Sequence, residues 1–470
     1  MSAEKDLLKK LVEDDVKFID FRFSDFLGKF HHITYRTINL TEFELQHGIR
    51  FDGSSIIGWK EVHQSDMLLK PDLSTVFFDP FFSELTAVII CDVYDPTENA
   101  RYVLDPRSVA VKAEEYLKKS GIAELAYFGP ELEFFVFDNV RFENSAMSSF
   151  FYLDSEESHH NSGKQYENGN LGHRSGHKNG YMPVPPMDSL HDLRSDMLLE
   201  GEKIGLKMLL HHHEVAQAQC EIGFEYDTLT KAADNIQKFK YVVQNVAASY
   251  NKTATFMPKP IYGDNGSCMH THQSLWSKGK PLFYQKSGYA ELSELCLYYI
   301  GGIIKHAKVL NAFTNPSTNS YKRLVPGYEA PVLMTYSEHN RSAAIRIPYT
   351  HSPNGKRIEA RFPDPMANPY LAFSAMIMAG LDGIKNKIHP GAPHDYNLYS
   401  LGEKETKKIP HVSHSLREAL LCLDKDRGFL KEGGVFDDDL IDSYIKLKMR
   451  EVKQFEMAPH PIEFVMYYSL

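Results

Sequence analysis

The sequence predicts an α+β protein: a small N-terminal domain followed by a larger one. Three observations carry this. The first hundred residues hold short alternating segments closed by turn signals, with only short helical stretches between them. Asp105-Pro106-Arg107 then reads as a helix start, with aspartate as the cap and proline at the first helical position. Beyond it, segments that alternate like antiparallel strands are interleaved with long helical patterns. These signals divide the chain into residues 1–104 and 105–470.

In chain order, residues 5–14 predict a helix. Phe18–Arg22 and Lys29–Tyr35 predict strands joined by the hairpin-type stretch Asp25-Phe-Leu-Gly28. Leu40–His47 is short and helical, and Arg50–Trp59 is rich in loop formers but carries an aspartate, Asp52. Thr86–Tyr94 is a strand ended by Asp95-Pro96. In the larger domain, the helix Pro106–Ser120 leads to the strand Tyr127–Phe137. Residues 138–182 are polar and weakly periodic, and read as one long loop. Leu190–Ile204 predicts an amphipathic helix, Lys207–Ile222 a strand pair, and Leu229–Thr253 and Tyr289–Leu310 long helices. The 256–274 and 331–362 stretches alternate as antiparallel strands. Pro369–Ile388 is an apolar helix, and Phe436–Phe455 a charged amphipathic one capped by Asp437. There are no internal repeats.

The 470 residues are 43% hydrophobic and 24% charged, which suffices for a large core in two or three domains. A net charge of −10 argues against a nucleic-acid partner, which calls for a basic stripe. No apolar run approaches the ~20 residues that span a bilayer. The N-terminus has no signal-peptide core. Five scattered cysteines with no Cys-x-x-Cys pair fit reduced thiols in a cytoplasmic protein.

The chemistry centres on the strand Tyr127–Phe137. Glu131 and Glu133 stand two residues apart in an apolar, aromatic run, so both face one side. Two adjacent buried anions call for a neutralising cation; the bland alternative is a solvated strand face. Other stretches repeat the pattern. Met269–Ser274 puts His270, His272 and Ser274 on one face, and Arg357–Arg361 does the same for Arg357, Glu359 and Arg361. The His211–Glu214 and Cys220–Glu221 stretches add two carboxylates, Glu214 and Glu221. Three adjacent imidazoles cannot all face one metal, so most of His211–His213 reads as structural. Five glutamates and one histidine, all placed on strands, suit two or three hard cations, Mg²⁺ or Mn²⁺ rather than zinc. Arg323, Arg341, Arg346, Arg357 and Arg361 follow closely on one another, and guanidinium groups grip carboxylates and phosphates. Metals with clustered arginines point to phosphoryl transfer. No GxxxxGK[ST] loop or strand–GxGxxG–helix unit is present, so metals and arginines would hold a nucleotide's phosphates.

Taken together these motifs resemble the glutamine synthetases of the bacterial type I class. The matching stretches include Phe51-Asp-Gly-Ser-Ser55, Gly129-Pro-Glu-Leu-Glu133, Gly180-Tyr-Met-Pro-Val-Pro-Pro186, His211-His-His-Glu-Val215, Asp264-Asn-Gly-Ser267, Met269-His-Thr-His272, Asn319–Pro331, Asn340-Arg-Ser342 and Ile358-Glu-Ala-Arg-Phe-Pro-Asp364. They cover essentially the whole chain. The resemblance implies a β-grasp N-terminal domain and a catalytic α/β domain with a curved antiparallel sheet. It implies a homododecamer of two stacked hexameric rings, with active sites between neighbouring subunits. The implied reaction is ATP-dependent ligation of ammonia to the γ-carboxylate of L-glutamate through γ-glutamyl phosphate.

Residue by residue, the resemblance assigns Glu133, Glu214 and Glu221 to one metal, and Glu131, His270 and Glu359 to the metal between the nucleotide's phosphates. It assigns two to three Mg²⁺ or Mn²⁺ ions to each site. Asn265, Gly266 and Arg323 would bind glutamate, with Arg361 near its reacting carboxylate. His272, Ser274, Arg346 and Arg357 would serve ATP, and Arg341 the transferred phosphoryl group. Glu329, in a closing flap, and Asp52 of the neighbouring subunit would form the ammonium pocket. Asn354 stands where many members have an ATP-contacting lysine, Leu209 where some have an acid near the nucleotide, and Tyr226 where a phenylalanine stacks on adenine. Between Glu214 and Glu221 there is one residue fewer than in the enterobacterial form. Asn397-Leu-Tyr399, in a regulatory-type loop at 390–410, resembles the adenylylation loop of the I-β branch, which makes Tyr399 the implied modification site and an adenylyltransferase the implied partner. Ser400 departs there from the usual acidic residue. A relative that amidates another substrate is disfavoured by Arg323, Glu329 and Asp52, and an inactive assembly protein by the presence of all six ligands.

Overall fold

The computed structural model describes residues 2–159, 165–167, 169, 170, 172–325 and 330–470. Its N-terminal part is a seven-stranded mixed sheet, in which Phe30–Arg36, Phe18–Ser24, Thr86–Asp95, Asp66–Pro71 and Ile49–Asp52 follow one another in space. Phe18–Ser24 runs parallel to Thr86–Asp95. Thr86–Asp95 is almost wholly buried, in keeping with the β-branched and apolar run Thr86–Cys91. Asp25 closes the predicted hairpin by accepting the N–H groups of Leu27 and Lys29.

The larger part carries a ten-stranded sheet. Its main path is Met208–His213, Gln219–Phe224, Leu125–Phe137, Met269–Ser277, Ile358–Ala360, Ile345–Ile347 and Tyr336–Glu338. Every pair on that path is antiparallel except the last. The alternation over 331–362 predicts antiparallel pairing throughout, and Tyr336–Glu338 departs from it by pairing parallel with Ile345–Ile347. Buried helices pack behind the sheet. Pro369–Lys385 is enclosed along nearly its whole length, and Phe373 stacks on Phe128 of the central strand.

Several elements differ from their sequence reading. The 138–182 stretch contains a hairpin, Asn139–Asn144 with Ser149–Asp154. The helix predicted over Tyr289–Leu310 is two, Glu294–Lys305 and Ala307–Thr314. They meet at His306, whose ring bridges Asp382 and Asp426 and stacks on Phe429. Leu229–Ser249 ends before Thr253, which begins a short strand against Leu125–Phe137.

Two buried arginines tie the sheets together. Arg107, in the helix Pro106–Ser120, donates to Asp72 and Asp92 of the N-terminal sheet region and to both oxygens of Asp234 behind the large sheet. Arg22 bonds Asp20 and Asp79 and lies 4.1 Å over the ring of Tyr241. Removing one partner of such a buried pair leaves an uncompensated charge and is costly, so these contacts help hold the two parts together.

Candidate active site

The register of the large sheet assembles the site. Glu133 lies opposite Glu221, Glu131 opposite His270, His272 opposite Glu359, and Glu359 opposite Arg346. Directly opposed residues of antiparallel strands share a face. Residues distant in the chain therefore line one surface.

Two groups of ligand atoms converge there, each within 4.8 Å: Glu131, His270 and Glu359, and His212, Glu214 and Glu221. His270 Nδ1 is 3.6 Å from carboxylate oxygens of both Glu131 and Glu359. His212 Nδ1 is 3.5 Å from Glu214, and its Nε2 is 3.6 Å from Glu221. Glu133 accepts from the Gln219 side-chain amide at 2.8 Å and from the Cys268 N–H at 3.0 Å. Glu214 follows the strand Met208–His213 rather than lying on it; its N–H donates to the Gln219 carbonyl, which turns the chain and aims the carboxylate at His212.

Electrostatics divides the carboxylates. Burial, reinforced by Glu214, pushes Glu133 up to about 8. Burial, reinforced by Glu133, does the same to Glu221. Burial also works against ionisation of Glu131, but hydrogen bonds with His270 and His272 outweigh it and hold Glu131 well below the ordinary range. Glu359 is likewise held low, against burial, by His270, His272 and Arg361. Among the described residues, neither Glu133 nor Glu221 has a lysine or arginine within ion-pair distance. Buried carboxylates that repel one another, with oxygen donors and one imidazole per group, fit hard divalent cations.

Arginines border this surface. Glu359 receives Arg346 at 2.6 Å and Arg361 Nε at 3.1 Å. Arg357 Nε donates to His272 Nδ1 at 3.2 Å, which leaves His272 Nε2–H to donate to Glu131 at 2.9 Å. Arg361 also donates to the Arg341 carbonyl, and the Arg341 side chain is exposed. Arg323 is buried and donates to the carbonyls of Phe362 and Arg361. It packs against Gly266, where an added Cβ would lie 2.4 Å from the Pro258 carbonyl oxygen and 3.2 Å from Arg323 Cγ. Only glycine fits that approach. Asn265 beside it is buried, its N–H bound by Asp264.

The far end of the surface is more open. Tyr226 is exposed and stands edge-on to Tyr127 at 5.2 Å, above Gly129, the register neighbour of His272. Ser274 accepts from the Trp276 indole at 3.1 Å. Leu209 is exposed at a bulge of the edge strand, and Asn354 is exposed in the turn Pro353–Gly355.

Asp52 and Tyr399 stand on other elements. Asp52 ends the strand Ile49–Asp52, where its carboxylate accepts from the Ser54 N–H and the Ser54 and Ser55 hydroxyls. Those bonds, Ser54's hydroxyl first, hold it below the ordinary carboxylate range. Glu329 lies outside the described residues. Tyr399 is half exposed in the turn Leu398–Ser400, its N–H bound by Asn397.

Sequence reasoning passed over His212, Gln219 and Cys268. His211 bonds Arg194 and Ser195, and His213 is buried between the Glu157 carboxylate and the Glu214 carbonyl, whereas the middle imidazole, His212, faces Glu214 and Glu221. His212 lies opposite Glu221, a cross-strand pairing that residue spacing does not reveal.

Comparison with known proteins decides the family. A model of the glutamine synthetase catalytic domain matches residues 103–467, and one of the glutamine synthetase β-grasp domain matches residues 15–96. The chain belongs to the glutamine synthetase family. A glutamine synthetase of Bradyrhizobium diazoefficiens is 60% identical over 469 residues, covering 100% of both chains. A protein of Cupriavidus pinatubonensis named 3-hydroxylaminophenol mutase is 56% identical over 466 residues and 99% of both. Among solved structures, the glutamine synthetase of Plasmodium falciparum superposes with a TM-score of 0.91 at 30% identity, over 100% of this chain and 99% of its own. The glutamine synthetase reaction, ATP-dependent ligation of ammonia to glutamate, is accordingly the activity of this chain, with ATP and divalent metal as the family's requirements. Among the described residues, no helix is long and apolar enough to cross a membrane.

Proposed function

We propose that glutamine is made on the face shared by Leu125–Phe137, Gln219–Phe224 and Met269–Ser277. Glu133, Glu214 and Glu221 hold one cation there, and Glu131, His270 and Glu359 another, with two to three Mg²⁺ or Mn²⁺ ions per site. The observation that carries this reading is the register, which lines up buried carboxylates, an imidazole and Arg346. Bound there, the cations would neutralise the phosphate charge that repels an anionic nucleophile.

The chain's own residues do the rest. Arg323, Asn265 and Gly266 seat glutamate, and His272, Ser274, Arg346, Arg357, Leu209, Asn354 and Tyr226 line the ATP site. Arg361 faces the γ-carboxylate and Arg341 the transferred phosphoryl group. A γ-carboxylate oxygen attacks the γ-phosphorus, ADP leaves, and γ-glutamyl phosphate forms. Ammonia then attacks the acyl carbon and phosphate leaves. Asp52 and Glu329 form the ammonium pocket. Asp52 stays ionised at neutral pH, so it attracts NH₄⁺; proton transfer to it becomes favourable as the nitrogen lone pair engages the acyl carbon. The exposed position of Asp52, whose carboxylate is bound among the described residues by Ser54 and Ser55, supports its serving the neighbouring subunit of a double-ring dodecamer. Exposed Phe464 and Val465 on the helix Pro461–Tyr467 support assembly. We place the enzyme in the cytoplasm, with Tyr399 as the target of an adenylyltransferase.

The test is glutamine formation from glutamate, NH₄⁺ and ATP with Mg²⁺ or Mn²⁺. Glutamine and phosphate in equal amounts are expected, with a loss of about a hundredfold or more in Glu131→Ala. An unchanged rate in the folded variant contradicts the reading. The mutase named among the relatives favours one further arm. Isomerisation of 3-hydroxylaminophenol without ATP would assign that reaction to this chain as well.

A further inference from the structure

Cys268 introduces a soft ligand into a site built from hard ones. It immediately precedes the strand Met269–Ser277, and its backbone is pinned to the central strand in both directions. Its carbonyl accepts the Glu133 N–H at 3.1 Å, and its N–H donates to the Glu133 carboxylate at 3.0 Å. Its Sγ lies 2.6 Å from Glu133 Oε1. Ligand atoms of Glu133, Cys268 and His270 fall within 4.8 Å of one another, and all three residues are buried. Glu133 and His270 belong to the two different cation groups proposed above, so this third constellation straddles them.

We propose that Glu133, Cys268 and His270 form a binding site for a thiophilic divalent cation, Zn²⁺ in the first instance, whose occupation inhibits the ligase. One thiolate, one imidazole and one carboxylate, with a fourth position open to water, is a donor set that suits tetrahedral zinc and that Mg²⁺ does not select. Ligation exchanges the thiol proton for the cation and releases it to solvent. Zinc held there takes a ligand from each cation group at once, so inhibition appears as loss of turnover that excess Mg²⁺ reverses by competition. The binding claim stands on the three side chains alone; the inhibition claim rests on the proposed roles of Glu133 and His270.

Cobalt tests the site directly, because a thiolate bound to Co²⁺ absorbs in the near ultraviolet while oxygen and nitrogen ligands do not. Wild-type assembled protein titrated with Co²⁺ should gain this band to one equivalent per chain, and one equivalent of Zn²⁺ should remove it. Cys268→Ser and Cys268→Ala should show no band. In Mg²⁺-supported turnover, each measured against its own uninhibited rate, both variants should need about tenfold or more Zn²⁺ for half inhibition. No band in folded wild-type protein, a band that persists in Cys268→Ser, or equal Zn²⁺ sensitivity in all three proteins would overturn the proposal. Absence of Mg²⁺-supported turnover in wild-type protein would instead count against the ligase site and leave the cobalt result to decide the metal site.

Discussion

Asp105 caps the helix Pro106–Ser120 from inside the protein. Its carboxylate accepts the N–H groups of Arg107, Ser108 and Val93, which favours the ionised form. Complete burial, reinforced by Asp92, outweighs them and raises it to about 6. A pKa raised on folding means that the protonated form is the one folding favours. The stability from Asp105 is therefore fully present below its unfolded value of about 4 and is lost as pH rises through 6. Asp105→Asn keeps an acceptor at the cap and removes the titration. Thermal unfolding from pH 4 to 7 should show the wild type losing up to roughly 3 kcal/mol relative to this variant. Parallel pH curves would refute the assignment. The cap itself was legible, because Asp-Pro at a helix start is local chemistry. Its depth was not, since burial depends on the strand Thr86–Asp95, with Val93 and Asp92, packing against it.

At the scale of elements, what could be read depended on how local the determinant was. The hairpin at Asp25, the apolar helix Pro369–Lys385 and the Asp437 cap of Asp438–Met457 all carry their signals within a few residues. The hairpin Asn139–Asn144 with Ser149–Asp154 was hidden because the face that carries Arg141 and Glu143 also carries Phe150 and Tyr152, so alternation does not separate polar from apolar. The break at His306 was hidden because apolar periodicity runs through it, while its cause lies in Asp382 and Asp426. In the site, the even spacing of Glu131 and Glu133, and of His270 and His272, showed which side chains share a face. Which strands meet was not readable from spacing, and that is where His212, Gln219 and Cys268 enter. The turn Leu398–Ser400 leaves Tyr399 half exposed, its N–H bound by Asn397. Tyr399→Phe should keep at least about half of wild-type turnover while abolishing adenylyl transfer to the chain. A large loss of turnover, by steady-state assay, would mean that the loop serves catalysis itself.

For the whole molecule, the two parts are joined by buried ion pairs. Asp52 ends a strand of the N-terminal sheet, and among the described residues its carboxylate bonds Ser54 and Ser55. If neighbouring subunits share each site, Asp52→Ala and Glu131→Ala, each inactive in glutamine formation, should complement one another. Mixed assemblies refolded from both should regain about a quarter of wild-type turnover, because a random half of the sites receives each intact component. No recovery in mixed assemblies of native size would place Asp52 and the carboxylates of one site in the same chain.

The central claim is that this carboxylate-and-arginine face phosphorylates glutamate before ammonia reacts. It is tested most directly with ATP labelled in the β,γ-bridging oxygen, incubated with enzyme, glutamate and Mg²⁺ but no ammonium. The account predicts scrambling of the label into the non-bridging β-positions, dependent on glutamate, retained in Asp52→Ala and absent in Glu131→Ala. Glutamine formation without such exchange, under conditions where bound ADP rotates freely, would contradict it.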